Sequence, residues 1–243
     1  MATVDGKRVT LHLLPNLLDD SLEHTSFVPK SVDAVVMTMD GLIAESEKSA
    51  RAFLKRFSFV LPKSFRDVPI RLLNEHTQES ELAALLLPIE RGESWGLVSD
   101  CGLPCLADPG ANLVLLAHKH GVKVRSYPGP SSIILALQLS GLSGQCFAFH
   151  GYPEKEKGEM QRQVRMLEAV RGTHIFIEAP YRSLKFLEQL LGYLSDRTLL
   201  CIASDLSLPT ESILTQSVAD WKRQKMPDLH KHPAIFLFSG KNR

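Results

Sequence analysis

The sequence has no long apolar run, few cysteines and almost no net charge. Its 243 residues contain no stretch of about 18 uninterrupted apolar residues, and the segment Met1–Arg8 is polar, so neither a membrane-spanning helix nor a secretion signal is expected. The formal net charge is +1, without the basic excess that indicates nucleic-acid binding from composition alone. We therefore expect a cytoplasmic protein with no membrane partner, and any RNA partner has to be inferred from a local site.

Cysteine is scarce, and its spacing argues against a metal site. The four cysteines, Cys101, Cys105, Cys146 and Cys201, lie in or beside apolar runs and are expected to be reduced, buried thiols. Only Gly-Leu-Pro separates Cys101 from Cys105, and no second Cys/His pair follows at zinc spacing. The sequence therefore predicts no bound metal.

Three common functional signatures are absent as well. The chain has no G-x-G-x-x-G after a strand, no G-x-x-x-x-G-K-[ST] and no H-E-x-x-H. A dinucleotide fingerprint, a P-loop and a zincin site are therefore unsupported. Nucleoside triphosphates become poor candidates for the ligand.

What the sequence does have is the alternation of β-rich apolar runs and helical stretches that is typical of α/β proteins. Hydrophobic residues make up 44% and charged residues 23%, as in ordinary globular domains. The predicted strands are Val9–Leu14, Val32–Met37, Trp95–Ser99, Val122–Tyr127, Cys146–His150, Thr173–Glu178, Leu199–Ala203 and Ala234–Phe238. The predicted helices are Glu45–Phe57, Thr77–Leu87, Ala111–His120, Ser131–Leu139, Glu159–Val170 and Ser183–Leu194.

Prolines suggest where a helix and a domain end. Pro88 is expected to end the helix Thr77–Leu87, because proline has no backbone N–H to continue the hydrogen-bond ladder. Pro128-Gly129-Pro130 forms a rigid turn that can join neither neighbouring ladder. We place the domain boundary there, which gives domains 1–127 and 128–243. The stretch Lys222–His232 is expected to be an exposed loop.

The stretch Leu97–Gly110 is a predicted strand followed by a loop of small, turn-forming and acidic residues. In open α/β sheets, ligands bind beyond the carboxyl ends of the strands, and Asp100 or Asp108 can accept hydrogen bonds from ligand hydroxyls or amines. Equally, the loop can be a rigid connector, with Asp108 as the N-cap of the next helix and Pro109 as its first residue. The residues alone leave both interpretations open.

Five segments follow one another in a distinctive order from about Trp95 to the C-terminus. They are LVSDCGLPCLADPG (Leu97–Gly110), VRSYPGPSSIILALQLSGL (Val124–Leu142), FAFHGYPEKEKGE (Phe147–Glu159), FIEAPYRS (Phe176–Ser183) and PAIFLFSG (Pro233–Gly240). This succession resembles the tetrapyrrole methylase superfamily, in particular the branch that contains the small-subunit ribosomal RNA cytidine 2′-O-methyltransferase. The resemblance implies an S-adenosylmethionine-dependent methyltransferase, two mixed-sheet α/β domains with the cofactor in the cleft between them, and a homodimer.

The resemblance also implies which residues surround the cofactor, while the catalytic residues stay open. The implied cofactor-binding residues are Pro15, Asp100, Cys101, Gly102, Leu103, Leu106, Ser131, Ser132, Glu178, Ala179, Asp205, Leu206 and Ala234. Methyl transfer is an in-line displacement that depends on alignment and on exclusion of water, so no protein nucleophile is obligatory. The implied acceptor is a ribose hydroxyl of small-subunit ribosomal RNA. A small tetrapyrrole-like or other metabolite as acceptor, or a non-catalytic cofactor-binding protein, are the alternatives.

The first half departs from the pattern of the ribosomal RNA enzymes. Their P-T-P-x-G-N-type turn after the first strand is replaced by the stretch 15–20, which reads PNLLDD, and their E-D-T-R stretch corresponds best to ESEK at 45–48. Both differences fall on the side expected to meet the acceptor. Four basic residues nearby line either a phosphate-binding face or a solvated helix surface: Lys48, Arg51, Lys55 and Arg56.

Overall fold

The computed structural model describes residues 3–4, 7–8, 10–60 and 63–240. The chain divides into two compact units, Met1–Ser131 and Ser132–Arg243. The predicted boundary was drawn slightly earlier, after Tyr127, and the Pro-Gly-Pro turn belongs to the first unit.

The first unit is built on a parallel sheet. Its elements in chain order are β1 (Thr3–Val4), β2 (Lys7–Arg8), β3 (Thr10–Leu13), α1 (His24–Phe27), α2 (Lys30–Thr38), β4 (Gly41–Ala44), α3 (Glu47–Leu54), β5 (Ile70–Leu72), α4 (Glu79–Glu90), β6 (Trp95–Leu97), α5 (Gly110–Lys119) and β7 (Lys123–Ser126). The sheet order is β5-β4-β6-β3-β7, and each neighbouring pair is parallel. Strands β1 and β2 pair separately and are antiparallel. Val9, the predicted start of β3, lies outside the described residues.

Helices cover both faces of this sheet, as a parallel sheet requires. Successive residues of a strand point to opposite faces, so Leu42 and Ile43 of β4 belong to different hydrophobic clusters. Residues from α2 and α3 complete the cluster around Leu42, and residues from α4 and α5 complete the one around Ile43. Helices therefore cover the two faces of the sheet, and the carboxyl ends of its strands lie together at one edge.

The predicted strand Val32–Met37 is wrong, because this segment lies within helix α2. A run of β-branched residues favours a strand locally. However, the two buried residues of the helix are Val32 and Val36, four positions apart, and this spacing places them on the same face of a helix. Burial of that face against the sheet outweighs the local preference.

The prediction that Pro88 ends its helix is also wrong, since α4 continues to Glu90 with Pro88 inside it. A proline at this position cannot donate a hydrogen bond to the carbonyl of Ala84, one turn earlier. The guanidinium of Arg71 donates to that carbonyl instead. A side chain of β5 therefore replaces the missing backbone donor. The sequence of the helix alone does not reveal this.

The second unit is built on a mixed sheet. Its elements are α6 (Ser132–Ser140), β8 (Phe147–Phe149), α7 (Lys157–Glu168), β9 (Thr173–Glu178), α8 (Ser183–Tyr193), β10 (Leu199–Ser204), β11 (Ser212–Ser217), α9 (Val218–Arg223) and β12 (Ala234–Ser239). The sheet order is β11-β10-β12-β9-β8. The β8–β9 pair is parallel and the other pairs are antiparallel. The two sheets with their helices confirm the predicted α/β class.

Two predictions about exposure need correction. The segment Lys222–His232 is not a loop throughout, because α9 includes its first two residues and Leu229 is buried in the core of the second unit. The four cysteines are free thiols, but Cys101 and Cys146 are exposed rather than buried. None of the helices in the described ranges is long and apolar enough to cross a membrane.

Candidate functional site

The carboxyl ends of four parallel strands bring four loops to one edge of the first sheet. Pro15 follows β3, Glu45 follows β4, Asp100 follows β6 and Gly129 follows β7. These residues are far apart in the sequence, and the parallel register places them at the same edge. The loop after β6, which we call the 99–110 loop, is the part that the sequence singled out.

Asn16 holds the first residues of the 99–110 loop. Its side chain is buried, and Nδ2 donates to the carbonyl oxygens of Ser99 (2.9 Å) and Asp100 (2.8 Å). Its backbone N–H donates to the carbonyl of Gly102 at 2.8 Å. The loop is therefore joined by three hydrogen bonds to the residue that follows Pro15.

Glu45 holds the same loop from the other side. Its Oε1 accepts a hydrogen bond from the backbone N–H of Asp100 at 2.9 Å. Burial raises the pKa of the Glu45 carboxyl above its ordinary value, and the nearby Asp100 and Asp108 carboxylates act in the same direction. The peptide groups of Asp100 are thus bonded on both sides, while its side chain is exposed.

The middle of the 99–110 loop has an unusual backbone. Gly102, Cys105 and Ala107 all have φ close to +70°, and this left-handed conformation is costly for the two residues that carry a Cβ atom. The Asp108 carboxylate stabilises the turn, because Oδ2 accepts from Cys105 N and Oδ1 accepts from Gly110 N, both at 2.7 Å.

These bonds decide between the two interpretations of Asp108. Its oxygens satisfy backbone donors of the loop, so Asp108 acts as part of the connector. The predicted capping arrangement is off by one position, since Pro109 is the N-cap residue of α5 and Gly110 is its first residue. The exposed Asp100 is the carboxylate of this loop that is accessible to a ligand.

Pro15, Leu103 and Gly129 form a close-packed corner of this edge. A Cβ atom added to Gly129 would lie 2.1 Å from Cβ of Pro15 and 3.5 Å from Cδ2 of Leu103. Glycine is therefore required at this position for the loops after β3, β6 and β7 to meet. Two of the residues implied in cofactor binding, Pro15 and Leu103, are brought together here.

The other implied residues of the first unit differ in accessibility. Cys101 and Leu106 are exposed, whereas Gly102 is buried. Ser131 is buried at the end of the first unit, and Ser132 begins α6 of the second. Burial and the neighbouring Asp108 raise the pKa of Cys105 to about 12, so this thiol is neutral at physiological pH.

In the second unit, the remaining implied residues lie at one edge of the mixed sheet. Ala234, the first residue of β12, is paired with Glu178 at the end of β9 and with Ser204 at the end of β10. Since β12 is antiparallel to both neighbours, its start lies beside their carboxyl ends. The register therefore brings together the residues implied in cofactor binding by this unit: Glu178, Ala179, Asp205, Leu206 and Ala234.

The two carboxylates of this edge already have partners within the unit. Glu178 Oε1 accepts from Nε (2.9 Å) and Nη2 (2.6 Å) of Arg182. Asp205 Oδ2 lies 2.8 Å from Oγ1 of Thr210 and 2.7 Å from Nδ1 of His232, and its backbone has φ of +52°. Both acids hold the ends of their strands in place, and Glu178 Oε1 also accepts a hydrogen bond from the backbone N–H of Ala179 at 2.7 Å.

The structure gives three residues a role that the sequence did not indicate. Asn16, Glu45 and Arg56 contact the 99–110 loop or one another. The sequence associates Asn16 and Glu45 with the acceptor side and Arg56 with a phosphate-binding or solvated face. Of the four basic residues considered for phosphate binding, Arg51 donates to the carbonyls of Phe65 and Val68. Arg56 is likewise bonded within the protein, so the exposed members of that group are Lys48 and Lys55.

Comparison with known families agrees with this architecture. A family model described as Tetrapyrrole (Corrin/Porphyrin) Methylases matches residues 30–221. The chain therefore belongs to the tetrapyrrole methylase family, as the sequence motifs predicted. The prediction of a methyltransferase is confirmed with it.

Several similar proteins of known sequence share one name. A protein of Xylella fastidiosa named ribosomal RNA small subunit methyltransferase I is 29% identical over 204 residues, which cover 84% of this chain and 72% of that protein. The protein of the same name from Escherichia coli O157:H7 is 27% identical over 212 residues, covering 87% and 70%. Among solved structures, the methyltransferase CobJ superimposes with a TM-score of 0.62 at 17% identity, covering 96% of this chain and 94% of that one. The last similarity concerns the fold.

Proposed function

We propose that the protein transfers a methyl group from S-adenosylmethionine to a ribose 2′-hydroxyl of small-subunit ribosomal RNA. The observation that carries the proposal is the similarity, over more than four fifths of the chain, to proteins named ribosomal RNA small subunit methyltransferase I. We also propose that the protein acts in the cytoplasm, where ribosomes are found, and that it forms a homodimer.

The 99–110 loop has the chemistry that this cofactor needs. S-adenosylmethionine carries a positive sulfonium and an ammonium group, and the exposed carboxylate of Asp100 attracts cations. The left-handed Gly102 is buried close to this residue in the sequence, and its N–H and carbonyl are bonded to Leu17 and Asn16, which fixes the backbone from which the Asp100 side chain extends. Apolar atoms of Leu103, and the exposed side chain of Leu106, supply surface for the adenine.

We also assign cofactor contacts to residues of the second unit. Because Glu178 and Asp205 are bonded to their own neighbours, the carboxylates act by holding the adjacent turns. The backbone of Ala179 is already bonded, since its N–H donates to Glu178 Oε1 and its carbonyl accepts from the N–H groups of Arg182 and Ser183. We therefore assign hydrogen bonds with the cofactor to the backbone of Leu206.

Bound S-adenosylmethionine would supply an activated methyl group for in-line transfer to the acceptor oxygen, with S-adenosylhomocysteine as the leaving group. The protein has to hold the acceptor oxygen in line with that methyl group and to exclude water. The rigid backbone of the 99–110 loop suits this alignment role, since Asn16, Glu45 and Asp108 all bond to it. Glu45 Oε1 is used for the Asp100 N–H, so we assign it a structural role rather than proton transfer.

A small metabolite is the second candidate acceptor. The net charge of +1 and the internal bonding of Arg51 and Arg56 leave a smaller basic surface than the sequence suggested. RNA binding commonly relies on phosphate contacts from lysine and arginine. The candidates therefore differ in the substrate and share the cofactor.

Two measurements test the proposal in turn. Isothermal titration with S-adenosylmethionine and S-adenosylhomocysteine should show saturable binding, and no heat at millimolar ligand would refute the cofactor assignment. Methyl-labelled cofactor should then label small-subunit ribosomal RNA from a strain that lacks this gene, at a nuclease-resistant 2′-O-methyl position. Label in a metabolite extract instead of RNA would favour the second candidate. Binding without any label would indicate a non-catalytic cofactor-binding protein.

A further inference from the structure

We propose that Arg56 and Asn16 are positioning residues that set the geometry of the 99–110 loop and hence the affinity for the cofactor. Arg56 lies just beyond the end of α3 and does not contact the loop itself. It acts through the Asn16 side chain. The effect on cofactor binding rests on the proposed function, whereas the effect on the loop is independent of it.

Arg56 and the backbone N–H of Leu17, which donates to Oδ1 at 2.9 Å, together determine which way the Asn16 amide points. Nη1 of Arg56 donates to Oδ1 of Asn16 at 2.5 Å. A guanidinium has only hydrogen-bond donors, so it can bond to the amide oxygen, which is an acceptor, but not to the NH₂ group, which is a donor. With Oδ1 held toward Arg56, Nδ2 faces the carbonyls of Ser99 and Asp100, where it donates both of its hydrogens.

Arg56 is in turn held in place. Its Nη2 forms an ion pair with Asp20, and its side chain is only 16% exposed. A hydrogen bond from an ionised guanidinium is stronger than one from a neutral donor, and burial of the Asn16 amide limits the competition from water. The order of contacts is therefore Asp20, Arg56, Asn16 and then the 99–110 loop.

The far end of this series is the residue that we assign to the cofactor. The carbonyl of Asp100 is bonded to Asn16 and its N–H to Glu45, so both peptide groups are fixed. The exposed Asp100 side chain therefore extends from a backbone that is held rigid, which fixes the direction of its Cα–Cβ bond. If the Asn16 amide turns, one of these two anchors is lost.

Three variants separate the roles. Asn16→Asp keeps the volume and the bond to Arg56 but replaces the donor Nδ2 with an oxygen that repels the two carbonyls. Arg56→Gln removes the charged donor, and Arg56→Lys retains a charged donor for Oδ1. Arg91→Gln is the matched control, since Arg91 is an exposed arginine at the end of α4 in the same unit.

The first readout is hydrogen exchange of the loop in the ligand-free protein. We expect backbone amides of residues 99–102 to exchange at least fivefold faster in Asn16→Asp and Arg56→Gln, and at the wild-type rate in Arg56→Lys and Arg91→Gln. A general loss of stability would instead accelerate exchange throughout the first unit. Unchanged exchange at 99–102 in both Asn16→Asp and Arg56→Gln would overturn the proposal, whatever the protein binds.

The second readout is the split between cofactor affinity and turnover. Asn16→Asp should raise the Kd for S-adenosylhomocysteine and the KM for S-adenosylmethionine about tenfold, equivalent to about 1.4 kcal/mol, with little change in kcat at saturating cofactor. Arg56→Gln should have a smaller effect of the same kind, and Arg56→Lys should restore most of it. Wild-type affinity in folded Asn16→Asp and Arg56→Gln would overturn the cofactor part of the proposal. Failure of the proposed function differs from this result, because the wild-type protein itself would then show no binding.

Discussion

Replacing Gly129 by alanine tests the packing at the edge of the first sheet. The added methyl group would lie 2.1 Å from Cβ of Pro15 and 2.9 Å from its Cγ. Carbon atoms in contact are normally about 3.5–4.0 Å apart, so the two loops have to separate by about 1.4 Å or more. Pro15 cannot rotate away because its ring is closed on the backbone.

The expected magnitude follows from two opposing effects. Overpacking of a close-packed site typically costs about 1–3 kcal/mol. Alanine also restricts the unfolded chain relative to glycine, which returns about 0.4–1 kcal/mol. We therefore expect Gly129→Ala to lower the free energy of unfolding of the first unit by about 1–2 kcal/mol.

The two tryptophans of the chain allow each unit to be followed separately. Trp95 lies in the first unit and Trp221 in the second, so urea unfolding of the Trp221→Phe background reports on the first unit through Trp95. Gly192→Ala is the control, since Gly192 is in α8 and an added Cβ would meet no atom within 4 Å. In the same background, Gly192→Ala should leave the Trp95 midpoint unchanged, because the gain of up to about 1 kcal/mol from alanine at a helical position falls on the second unit.

A double substitution decides whether the clash is the cause. Pro15→Gly removes the ring atoms that the new methyl group would meet, so Gly129→Ala should cost about 1 kcal/mol less in the Pro15→Gly background. If Gly129→Ala leaves the urea midpoint of the Trp95 signal unchanged, the packing argument is wrong. The same holds if its cost is equal in both backgrounds.

Three further predictions follow from single side chains. Burial and the charge of Arg125 lower the pKa of His12 from 6.5 to about 4. The free energy of unfolding should therefore fall by about 1–2 kcal/mol as the pH falls from about 6.5 to 4, after allowance for solvent screening. His12→Gln should flatten this part of a pH–stability curve. Iodoacetamide at pH 8 should modify the exposed Cys146 faster than Cys105, whose pKa is raised to about 12, and equal rates by mass spectrometry would contradict this. Trp221→Phe should destabilise the second unit by about 1–2 kcal/mol, because the strand carbonyl of Leu200 loses the buried indole N–H that donates to it at 2.8 Å. An unchanged urea midpoint by circular dichroism would contradict this.

Local sequence patterns were sufficient where one physical effect dominates. The strand Thr173–Glu178 has the predicted bounds, because it is a continuous run of residues that are mostly buried. The acidic residues Glu79 and Glu81 lie in the first turn of α4, where the helix N-terminus favours negative charge. In both cases the local preference and the tertiary environment agree.

Sequence patterns failed where the environment opposes the local preference or where the element is short. Val32–Met37 is β-branched in composition and helical in the structure, and Pro88 is tolerated within α4 because Arg71 bonds to the carbonyl of Ala84. The sequence did not predict the strands β1, β2, β4, β5 and β11. All of these except β11 have four residues or fewer, which is too short for periodicity to be recognised.

For the candidate site, the residues themselves indicated the family, the strand-end loop with Asp100 and the turn at Gly129. These features depend on the order of residues along the chain, and neighbouring residues are always near one another. Which side chains hold that loop was decided only in three dimensions. Arg56 and Asn16 are forty positions apart, and they meet because the packing of α3 on the sheet places the residue beyond its end within reach of the loop that follows β3.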